Sequence, residues 1–415
     1  MTDSMTDSVT TQQVSRLEAA ALKLIMEADL VALTQEFVRC PGENPPGEEA
    51  ARVSALVAAC RARDLTVRTT SAADGRDNVS ATTTGGGGPR LLLLGHTDVV
   101  PVGDGWTGEP FGGLVRDGRI FGRGTSDMLG GLAASVVAMD AVQRAAAATG
   151  TALSGRIELA AVVDEEEGGL GIRRFMQDEP PAYVGCITAE PTDLQTIVAA
   201  RGDCYLDITV HGQAAHAGRP SDGRNAIYGA ARVIESLRSW NDEHAKKPHP
   251  LVGPATWSVG IVTGGQGTAI VPATCRVQAD RRLLPGEDPD AVLAAVIARI
   301  DALGLDRDDL HADVRMPMSM PGFETPAGDG FAAAVDLALA ESGGPGLPPG
   351  GWTAACDGGF VSRDFGVPTV VLGPGSVNDQ AHRPDESVSI AELVTAAQTY
   401  VRVAARLLAA QAAPV

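Results

Sequence analysis

The sequence predicts an α/β fold with a mostly parallel sheet and an inserted α+β domain. Short apolar runs alternate with helical patterns in the first half and again near the end of the chain, an order typical of parallel sheets. From about residue 200 the pattern changes to strands in which apolar and polar residues alternate. The chain of 415 residues also exceeds the roughly 250 to 300 at which a single core stops growing. We therefore expect a main domain built from residues 15–199 and 316–415, interrupted by an insertion at 200–315.

Residues 1–14 are polar and repeat the string MTDS, and they are predicted to be disordered. This segment has no basic start followed by an apolar run, so no secretory signal is predicted. No stretch approaches the roughly 18 apolar residues of a membrane span. The six cysteines are far apart and form no Cys-x-x-Cys pair, which favours reduced thiols. A cytoplasmic protein is therefore expected.

The first part of the main domain is predicted to contain three helices and three covered strands. Apolar residues recur at helical spacing in Gln12–Arg39, in Gly47–Arg63 and in the Ala-rich segment Met128–Ala147. Ser126 and Asp127 come directly before the third helix, where they suit its N-cap. The strands are short apolar runs without alternation, as expected for strands covered on both faces: Arg90–Leu94, Arg156–Val163 and Val184–Thr188.

The insertion is expected to form a small sheet with one open face. Apolar and polar side chains alternate most clearly in Cys204–His211. Two helices and two further strands complete it: Asn225–Trp240, Thr256–Val262, Thr274–Arg282 and Asp290–Leu303. The α/β pattern then returns with the helix Gly330–Glu341, the strand Thr369–Leu372 and the terminal helix Ser389–Ala410.

The net charge of −19 disfavours nucleic acids and anionic membrane surfaces as partners. The excess of carboxylates has two explanations. Most of it would keep the surface soluble, and part of it would belong to a carboxylate-rich metal site. The charge alone does not separate these two explanations, so the positions of the acidic residues matter.

The first candidate functional residues follow the strand Arg90–Leu94. His96 and Asp98 are two residues apart, so in extended backbone their side chains point to the same side. A histidine that binds zinc usually donates its second ring N–H to a carboxylate, which fixes the ring tautomer. His96 as a ligand and Asp98 as its orienting partner fit this arrangement. A local hydrogen bond without any metal is the alternative.

Four adjacent carboxylates, Asp164–Glu167, follow the strand Arg156–Val163. A solvated acidic turn is the usual interpretation of such a run. Adjacent carboxylates nevertheless repel one another, and a divalent cation would neutralise some of them. Successive side chains at a strand end point in different directions. One glutamate could therefore bind a metal while its neighbour faces a water molecule that needs a base.

Three further polar residues follow predicted strands or turns: Asp127, Glu190 and His382. Each has an ordinary explanation by itself, such as the N-cap role of Asp127. Their common placement is the stronger signal, because ligands gather where the carboxyl ends of the strands of one parallel sheet meet. Histidine and carboxylate ligands without thiolates suit zinc, with manganese and cobalt as alternatives.

Five parts of the sequence, in this order, resemble the di-zinc aminoacylase and carboxypeptidase family, which includes acetylornithine deacetylase, succinyl-diaminopimelate desuccinylase and carboxypeptidase G. They are HTDVVP from His96, FGRGTSDM from Phe121, DEE from Asp164, AEPT from Ala189, and GPG from Gly373 through AHRPDE from Ala381. The resemblance covers nearly the whole chain after about residue 20. It implies a zinc-peptidase-like catalytic main domain and an inserted lid and dimerisation domain.

The resemblance also implies two Zn²⁺ ions per subunit, for which Co²⁺ or Mn²⁺ could substitute. Asp127 would bridge both ions. His96 and Glu190 would bind one of them, and Glu166 and His382 would bind the other.

Two more matched residues would act beside these ligands. Glu165 would be the general base acting on a metal-bridging water and would later pass the proton to the departing amine. Asp98 would orient His96. The peptide bond between Asp127 and Met128 would be cis.

Three residues match family positions outside the metal centre. His216 matches a lid histidine that reaches the active site of the partner subunit, which implies a homodimer through the inserted domain and a lid that closes on substrate. Arg282 and Asn378 match positions that contact the substrate carboxylate or the transition state, and arginine suits bidentate carboxylate binding. Without the resemblance, His216 would be interpreted as a surface loop residue and Arg282 as a surface residue of a strand.

The sequence departs from the family pattern at three places. Thr268-Ala269 stands before Ile270-Val271-Pro272 where many members have Asn, and Leu129 replaces the usual lysine after the bridging aspartate and methionine. The segment Ala354–Gly359 lacks the common Thr-Asp or Gly-Thr. Its Cys356 is interpreted as a packed loop cysteine rather than a thiol near the metal. The specificity pocket is therefore expected to differ from other members, whereas the metal ligands are unchanged.

The leading prediction is a di-zinc amidohydrolase that cleaves the amide bond of a small N-acyl amino acid. Acetylornithine deacetylase-like activity is the first hypothesis, because the strings GPGS and QAH near residues 373–382 resemble that branch. A dipeptidase or glutamate-releasing carboxypeptidase using the same site is the second. A binding or regulatory protein without turnover is the non-enzymatic alternative, which Glu165 beside a complete ligand set disfavours.

Overall fold

A computed structural model describes residues 2–178, 180–326 and 328–409, and the chain divides into two compact units. The first unit runs to Val198 and continues through Thr325–Gly350 and from Phe360 onward. The second unit consists of Ala199–Glu324 and Gly351–Gly359. The second unit extends beyond the insertion predicted at residues 200–315, because its last long strand runs on to Met320.

The first unit is built on a sheet whose middle strands are parallel. In spatial order the strands are β1 (Thr66–Ala73), β2 (Arg76–Thr82), β6 (Arg156–Val162), β3 (Arg90–His96), β7 (Tyr183–Thr188), β17 (Thr369–Val371) and β8 (Ile197–Ala200). The pairs β3–β6, β3–β7 and β7–β17 are parallel. His96 lies opposite Val162, and Leu94 lies opposite Thr188. The carboxyl ends of these strands therefore lie at one edge of the sheet, as the mostly parallel prediction requires.

The hairpin of β1 and β2 is absent from the sequence-based prediction. It adds two antiparallel strands beside β6. Most side chains of β1 are exposed or half-buried, so this strand lacks the continuous apolar run that marks the central strands. Its sequence signal is the Asp74-Gly75 turn, in which Gly75 has a φ of 72°.

Two long helices pack on each other and on β3: α4 (Gly130–Thr149) and α10 (Ile390–Leu408). The buried residues of α10 recur at helical spacing and include Leu393, Ala397, Tyr400, Ala404 and Leu408. In α4, a Cβ on Gly131 would overlap the carbonyl oxygen of Ala189. The missing side chain thus lets α4 approach the turn that follows β7. The other helices are α1 (Thr2–Leu22), α2 (Glu27–Val38), α3 (Ala50–Arg61), α5 (Leu170–Phe175), α8 (Gly330–Glu341) and α9 (Gly358–Phe365).

The start of the chain forms a helix. Helix α1 begins at Thr2, and the disorder of residues 1–14 stays a prediction. Leu17 and Ala21 of this helix are buried in the core, and this packing supports its C-terminal half. The single helix predicted over Gln12–Arg39 is two helices, α1 and α2, separated by residues 23–26.

The second unit is an antiparallel sheet covered by two helices. Its strand order is β11 (Thr256–Gly264), β13 (Thr274–Leu283), β9 (Gly202–His211) and β14 (His311–Met320). Helix α6 (Ala226–His244) packs on the first three of these strands, and α7 (Pro289–Asp301) packs on β14. Buried Leu206, Ile208 and Val210 alternate with half-buried polar residues along β9. Strand β14 was not predicted, because it contains Pro317 and a register shift between Arg315 and Met318.

Short strands complete the structure. In the first unit, β4 (Leu114–Arg116), β5 (Arg119–Phe121) and β18 (Ser387–Ser389) form a small sheet. In the second unit, β10 (Ala215–His216) pairs with β12 (Ile270–Val271), and β15 (Phe323–Glu324) pairs with the end of β8. Strand β16 spans Gly350–Trp352. None of the described helices combines the length and the apolar character that a membrane span requires.

Candidate metal centre

All five predicted ligands lie together at the carboxyl edge of the central sheet. His96 ends β3, Glu166 follows β6, Glu190 follows β7, and His382 lies in the loop after β17. Asp127 lies in the π-helical turn that leads into α4. Three strand ends, one loop and the turn before α4 thus supply the five side chains. The residues are up to 286 positions apart in sequence (His96 to His382).

Asp127 lies between two pairs of side chains. Its Oδ1 is 3.3 Å from His96 Nε2, and that nitrogen is 3.5 Å from Glu190 Oε1. Its Oδ2 is 3.4 Å from His382 Nε2, and that nitrogen is 3.1 Å from Glu166 Oε2. Each carboxylate oxygen of Asp127 therefore faces its own histidine and glutamate. This is the arrangement expected of a carboxylate that bridges two cations.

The Asp127 turn is held by the buried carboxylate of Glu386. Glu386 Oε1 accepts hydrogen bonds from the backbone N–H groups of Ser126 (2.9 Å) and Asp127 (3.0 Å). Its Oε2 accepts from the Gly124 N–H at 3.0 Å and from Arg123 Nη1 at 2.7 Å. Strand β18, directly after Glu386, pairs with β5, directly before the turn. This pairing brings the two ends of the network together.

The N-cap predicted from Ser126 and Asp127 is wrong. The side chains of both residues point elsewhere, and α4 begins after Leu129 without a side-chain cap. The Ser126 hydroxyl accepts a hydrogen bond from the Ser376 N–H at 3.0 Å, so it joins this turn to the loop that follows β17. The expected cis peptide bond between Asp127 and Met128 is present.

Asp98 is fully buried and holds the acidic turn more closely than it holds His96. The nearest acceptor to His96 Nδ1 is the backbone oxygen of Asp98 at 3.0 Å, and the carboxylate Oδ1 is 3.6 Å away. That carboxylate accepts hydrogen bonds from the backbone N–H groups of Glu165 and Glu166, each at 3.1 Å. Asp98 therefore places the proposed base and its neighbouring ligand together.

The acidic segment is not a solvated patch. The side chains of Asp164 and Glu166 are 5% and 6% exposed, and only Glu167 among the four is exposed as a residue. Glu165 is half-buried. Asp164 has a φ of 68°, a region that aspartate tolerates better than most residues, and this reverses the chain direction after β6.

Asn44 is a functional candidate that the sequence analysis missed. Its side-chain amide donates to Asp98 Oδ2 at 2.9 Å and to Asp164 Oδ1 at 3.0 Å. Arg76 Nη1 also contacts Asp164 Oδ1, at 2.8 Å. One buried amide thus joins the carboxylates on both sides of the acidic turn. The sequence signal was the Asn44-Pro45 dipeptide, which marks a turn.

We expect Asn44→Ala to lower the free energy of unfolding by about 1–3 kcal/mol, because two buried carboxylates lose a donor. It should also lower kcat while metal content stays unchanged, since the acidic turn loses its fixed position. Urea unfolding, turnover and metal analysis would test this. The control is Asn241→Ala in the second unit, which removes the side-chain acceptor of the Trp257 backbone N–H. This variant should affect stability only. Equal turnover in both variants would contradict a positioning role for Asn44.

The charged groups of the centre shift one another's pKa values. Hydrogen bonds to Asp127 and Glu166 raise the pKa of His382 to about 10. Burial lowers the pKa of His96, but Glu190 and Asp127 outweigh it and raise that pKa well above its usual value. Burial raises the pKa of Glu190 to about 7. Burial opposes ionisation of Asp127, but hydrogen bonds from His382 and His96 hold its pKa below the usual value.

Glu166 shows best that a divalent cation fits this group of side chains. Burial and the charge of Asp127 raise its pKa. Its Oε1 is buried and accepts no hydrogen bond from any described residue. Ligand atoms of His96, Asp127 and Glu166 lie within 4.8 Å of one another. Two histidines and three carboxylates, one with an unsatisfied buried oxygen, fit divalent cations of the zinc class.

The other predicted residues are placed as follows. His216 is exposed on β10 and lies opposite Ile270. The Ala217 N–H donates a hydrogen bond to the Ala269 oxygen at 2.9 Å. The segment Thr268-Ala269, which departs from the family pattern, therefore lies beside His216. Arg282 is paired with Asp280 at 3.0 Å and with Asp203 at 3.3 Å.

Two further predicted positions belong to loops. Asn378 is exposed in the loop after β17, four residues before His382. Cys356 is buried, as expected for a packed loop cysteine.

Comparisons with known proteins give a family match, similar proteins and similar solved structures. The model of peptidase family M20/M25/M40 matches residues 92–406. The chain is 33% identical over 347 residues to a succinyl-diaminopimelate desuccinylase of Xanthomonas oryzae pv. oryzae, covering 80% of this chain and 87% of the relative. It is 31% identical over 324 residues to an acetylornithine deacetylase of Proteus mirabilis, covering 76% of this chain and 79% of that relative. Among solved structures, Bacillus subtilis YXEP, a dinuclear metal binding peptidase from the M20 family, aligns with a TM-score of 0.67 and 15% identity over 92% of this chain and 98% of that one.

Proposed function

The chain belongs to peptidase family M20/M25/M40, and from this premise we propose that it is a two-metal amidohydrolase that releases the acyl group of a small N-acyl amino acid. The position of Asp127, with one oxygen toward each histidine and glutamate pair, is the observation that carries the proposal. The two named relatives are a desuccinylase and a deacetylase, so both names describe removal of a short acyl group. Acetylornithine deacetylase-like activity remains the first hypothesis for the substrate.

Two Zn²⁺ ions, or Co²⁺ or Mn²⁺ in their place, fit the five ligands. His96 and Glu190 would hold one, Glu166 and His382 the other, and Asp127 both. When bound, such a metal pair lowers the pKa of a water molecule and polarises the scissile carbonyl.

Glu165 is the proposed general base. It takes a proton from the attacking water and returns it to the departing amine. Its backbone N–H is fixed by Asp98 Oδ1, and the N–H of the ligand Glu166 is fixed by Asp98 Oδ2. Base and ligand are therefore held by one buried carboxylate, which keeps their separation constant and lowers the entropic cost of reaching the reactive geometry.

The direct test is hydrolysis of a substrate panel with and without a chelator. N-acetylornithine, N-succinyl-diaminopimelate and other N-acetyl amino acids are compared with dipeptides and with acyl-glutamates. We expect cleavage of N-acyl amino acids that is lost after chelation and restored by Zn²⁺. Faster cleavage of dipeptides or release of glutamate would favour the second hypothesis. Hydrolysis that persists in the chelated protein would contradict the two-metal mechanism.

We further propose that the protein is a homodimer through its second unit. Large apolar side chains of this unit are exposed, namely Tyr228 (72%), Ile261 (54%), Val262 (51%) and Ile270 (44%). Ile261 and Val262 lie on β11, an edge strand of the sheet. An apolar edge strand is a favourable template for pairing with another chain. In such a dimer, His216 would serve the active site of the partner subunit.

Ile261→Lys is expected to convert the dimer into a monomer, because it places a charge in the apolar edge. Light scattering after gel filtration would measure the mass, and turnover should fall with dimer content if His216 acts across subunits. Leu337→Lys changes a comparably exposed residue of α8, 56% exposed, and should leave the dimer intact. A monomeric wild-type protein with full activity would refute both the dimer and the role of His216.

A further inference from the structure

A second group of metal-binding side chains lies on the sheet of the second unit, outside the five-ligand centre. His211 ends β9, and His311 begins β14. The two histidines are directly opposite each other in the antiparallel register. Asp313 is two residues beyond His311, so its side chain is on the same face of β14. Neighbouring strands therefore present two imidazoles and one carboxylate to the same side.

The three side chains are already close to a coordinating arrangement. The rings of His211 and His311 are stacked, with centroids 4.6 Å apart and planes inclined by 13°. His211 Nε2 is 3.1 Å from Asp313 Oδ2. One ligand atom from each residue lies within 4.8 Å of the others. Ligands about 2.1 Å from a zinc ion lie at most about 4.2 Å apart. The two imidazoles would therefore rotate out of their stack on binding, so that one nitrogen of each ring points at the ion.

The surrounding charges leave this group available to a cation. Thr209 lies between Arg276 on one side and Asp313 on the other in the strand register. Arg276 does not neutralise Asp313, because its guanidinium is paired with Asp207. The carboxylate of Asp313 is instead paired with His211, and this side chain is 60% exposed. A cation from solvent can therefore reach the group without breaking an arginine–carboxylate pair.

We propose that His211, His311 and Asp313 bind one divalent cation of the zinc class. Two imidazole nitrogens and one carboxylate oxygen would leave a fourth tetrahedral position to solvent. The cation would join the edge strand β14 to β9. The chain leaves β9 at His211 and reaches His216 five residues later, so the cation would fix the point from which the His216 segment departs.

Zinc stoichiometry of the full-length protein tests this proposal. Chelator-stripped protein is titrated with Zn²⁺ by calorimetry, and bound metal is counted after dialysis. We expect three equivalents in the wild type and two in His311→Ala. Asp313→Asn, which keeps the size of the side chain, should weaken the third equivalent at least about tenfold. His249→Ala, which removes another histidine of the same unit that is paired with Glu324, should retain three.

The two metal sites are separated by a further variant. Asp127→Asn removes the bridging ligand of the main centre and should retain the equivalent that depends on His311. Failure of the two-metal centre and failure of this site therefore give different stoichiometries. The proposal is overturned if the wild type binds no cation beyond the main centre, or if a third equivalent survives both His311→Ala and Asp313→Asn. Circular dichroism of each variant shows that the fold is retained.

Discussion

Glu165→Gln is expected to lower kcat by about 10²- to 10⁴-fold while the five-ligand centre keeps both of its metal ions. Glutamine has the shape of glutamate but cannot take a proton from the attacking water. The substitution leaves the backbone N–H groups that bond to Asp98, so the acidic turn should keep its position. Glu166, the neighbouring ligand, should therefore remain in place, and KM should change little because binding and proton transfer are separate tasks.

Steady-state kinetics and metal analysis on the same preparations would measure this effect. Glu167→Gln is the matched control, because it removes the adjacent exposed carboxylate and should keep normal turnover. Full activity in Glu165→Gln would exclude Glu165 as the base. Loss of one metal ion together with activity would mean that Glu165 is a ligand.

Asp127→Asn is expected to bring the metal bound at the five-ligand centre below two ions per subunit and to lower activity by at least about 10³-fold, since metal pairs supply several kcal/mol of transition-state stabilisation. The asparagine side chain has one neutral oxygen, whereas the carboxylate offers one charged oxygen to each histidine and glutamate pair. Both cations would therefore lose a shared ligand.

Metal content and turnover at several zinc concentrations would test this second prediction. Asp379→Asn changes an exposed aspartate of the loop after β17 and is the control, with wild-type metal content and normal turnover expected. A variant Asp127→Asn that binds as many ions as the wild type, each at the wild-type affinity, would refute the bridging role. Recovery of full activity at high zinc would show weakened binding without a direct effect on turnover.

The central strands and three of the proposed metal ligands, His96, Glu166 and Glu190, were predictable because they follow one rule. Buried parallel strands are continuous apolar runs, and the polar residues directly after them meet at one edge. His96 and Glu190 illustrate this, since each follows such a run and both lie at the same edge. The hairpin β1–β2 did not follow the rule, because its outer strand is largely exposed and was visible only through its Asp-Gly turn.

The supporting contacts were not predictable, because they join residues that are far apart in sequence. The local pattern at Asp127 equally fits a helix cap, and only the contact with Glu386 shows that the turn is held from elsewhere. Likewise, Asp98 was expected to orient His96, whereas its carboxylate lies closer to the N–H groups of the acidic turn. Asn44 has no metal-binding chemistry of its own and becomes a candidate only through its two buried partners.

The anchoring of Asp127 by Glu386 has a consequence for the time at which activity begins. A ribosome releases the chain from its N-terminus, and Glu386 emerges 259 residues after Asp127. His382 emerges only just before it, so nascent or truncated chains lack a metal ligand as well as the anchor of the bridging residue. The proposed metal centre can therefore form only after residue 386 has been synthesised, so chains that end before this residue are expected to be inactive.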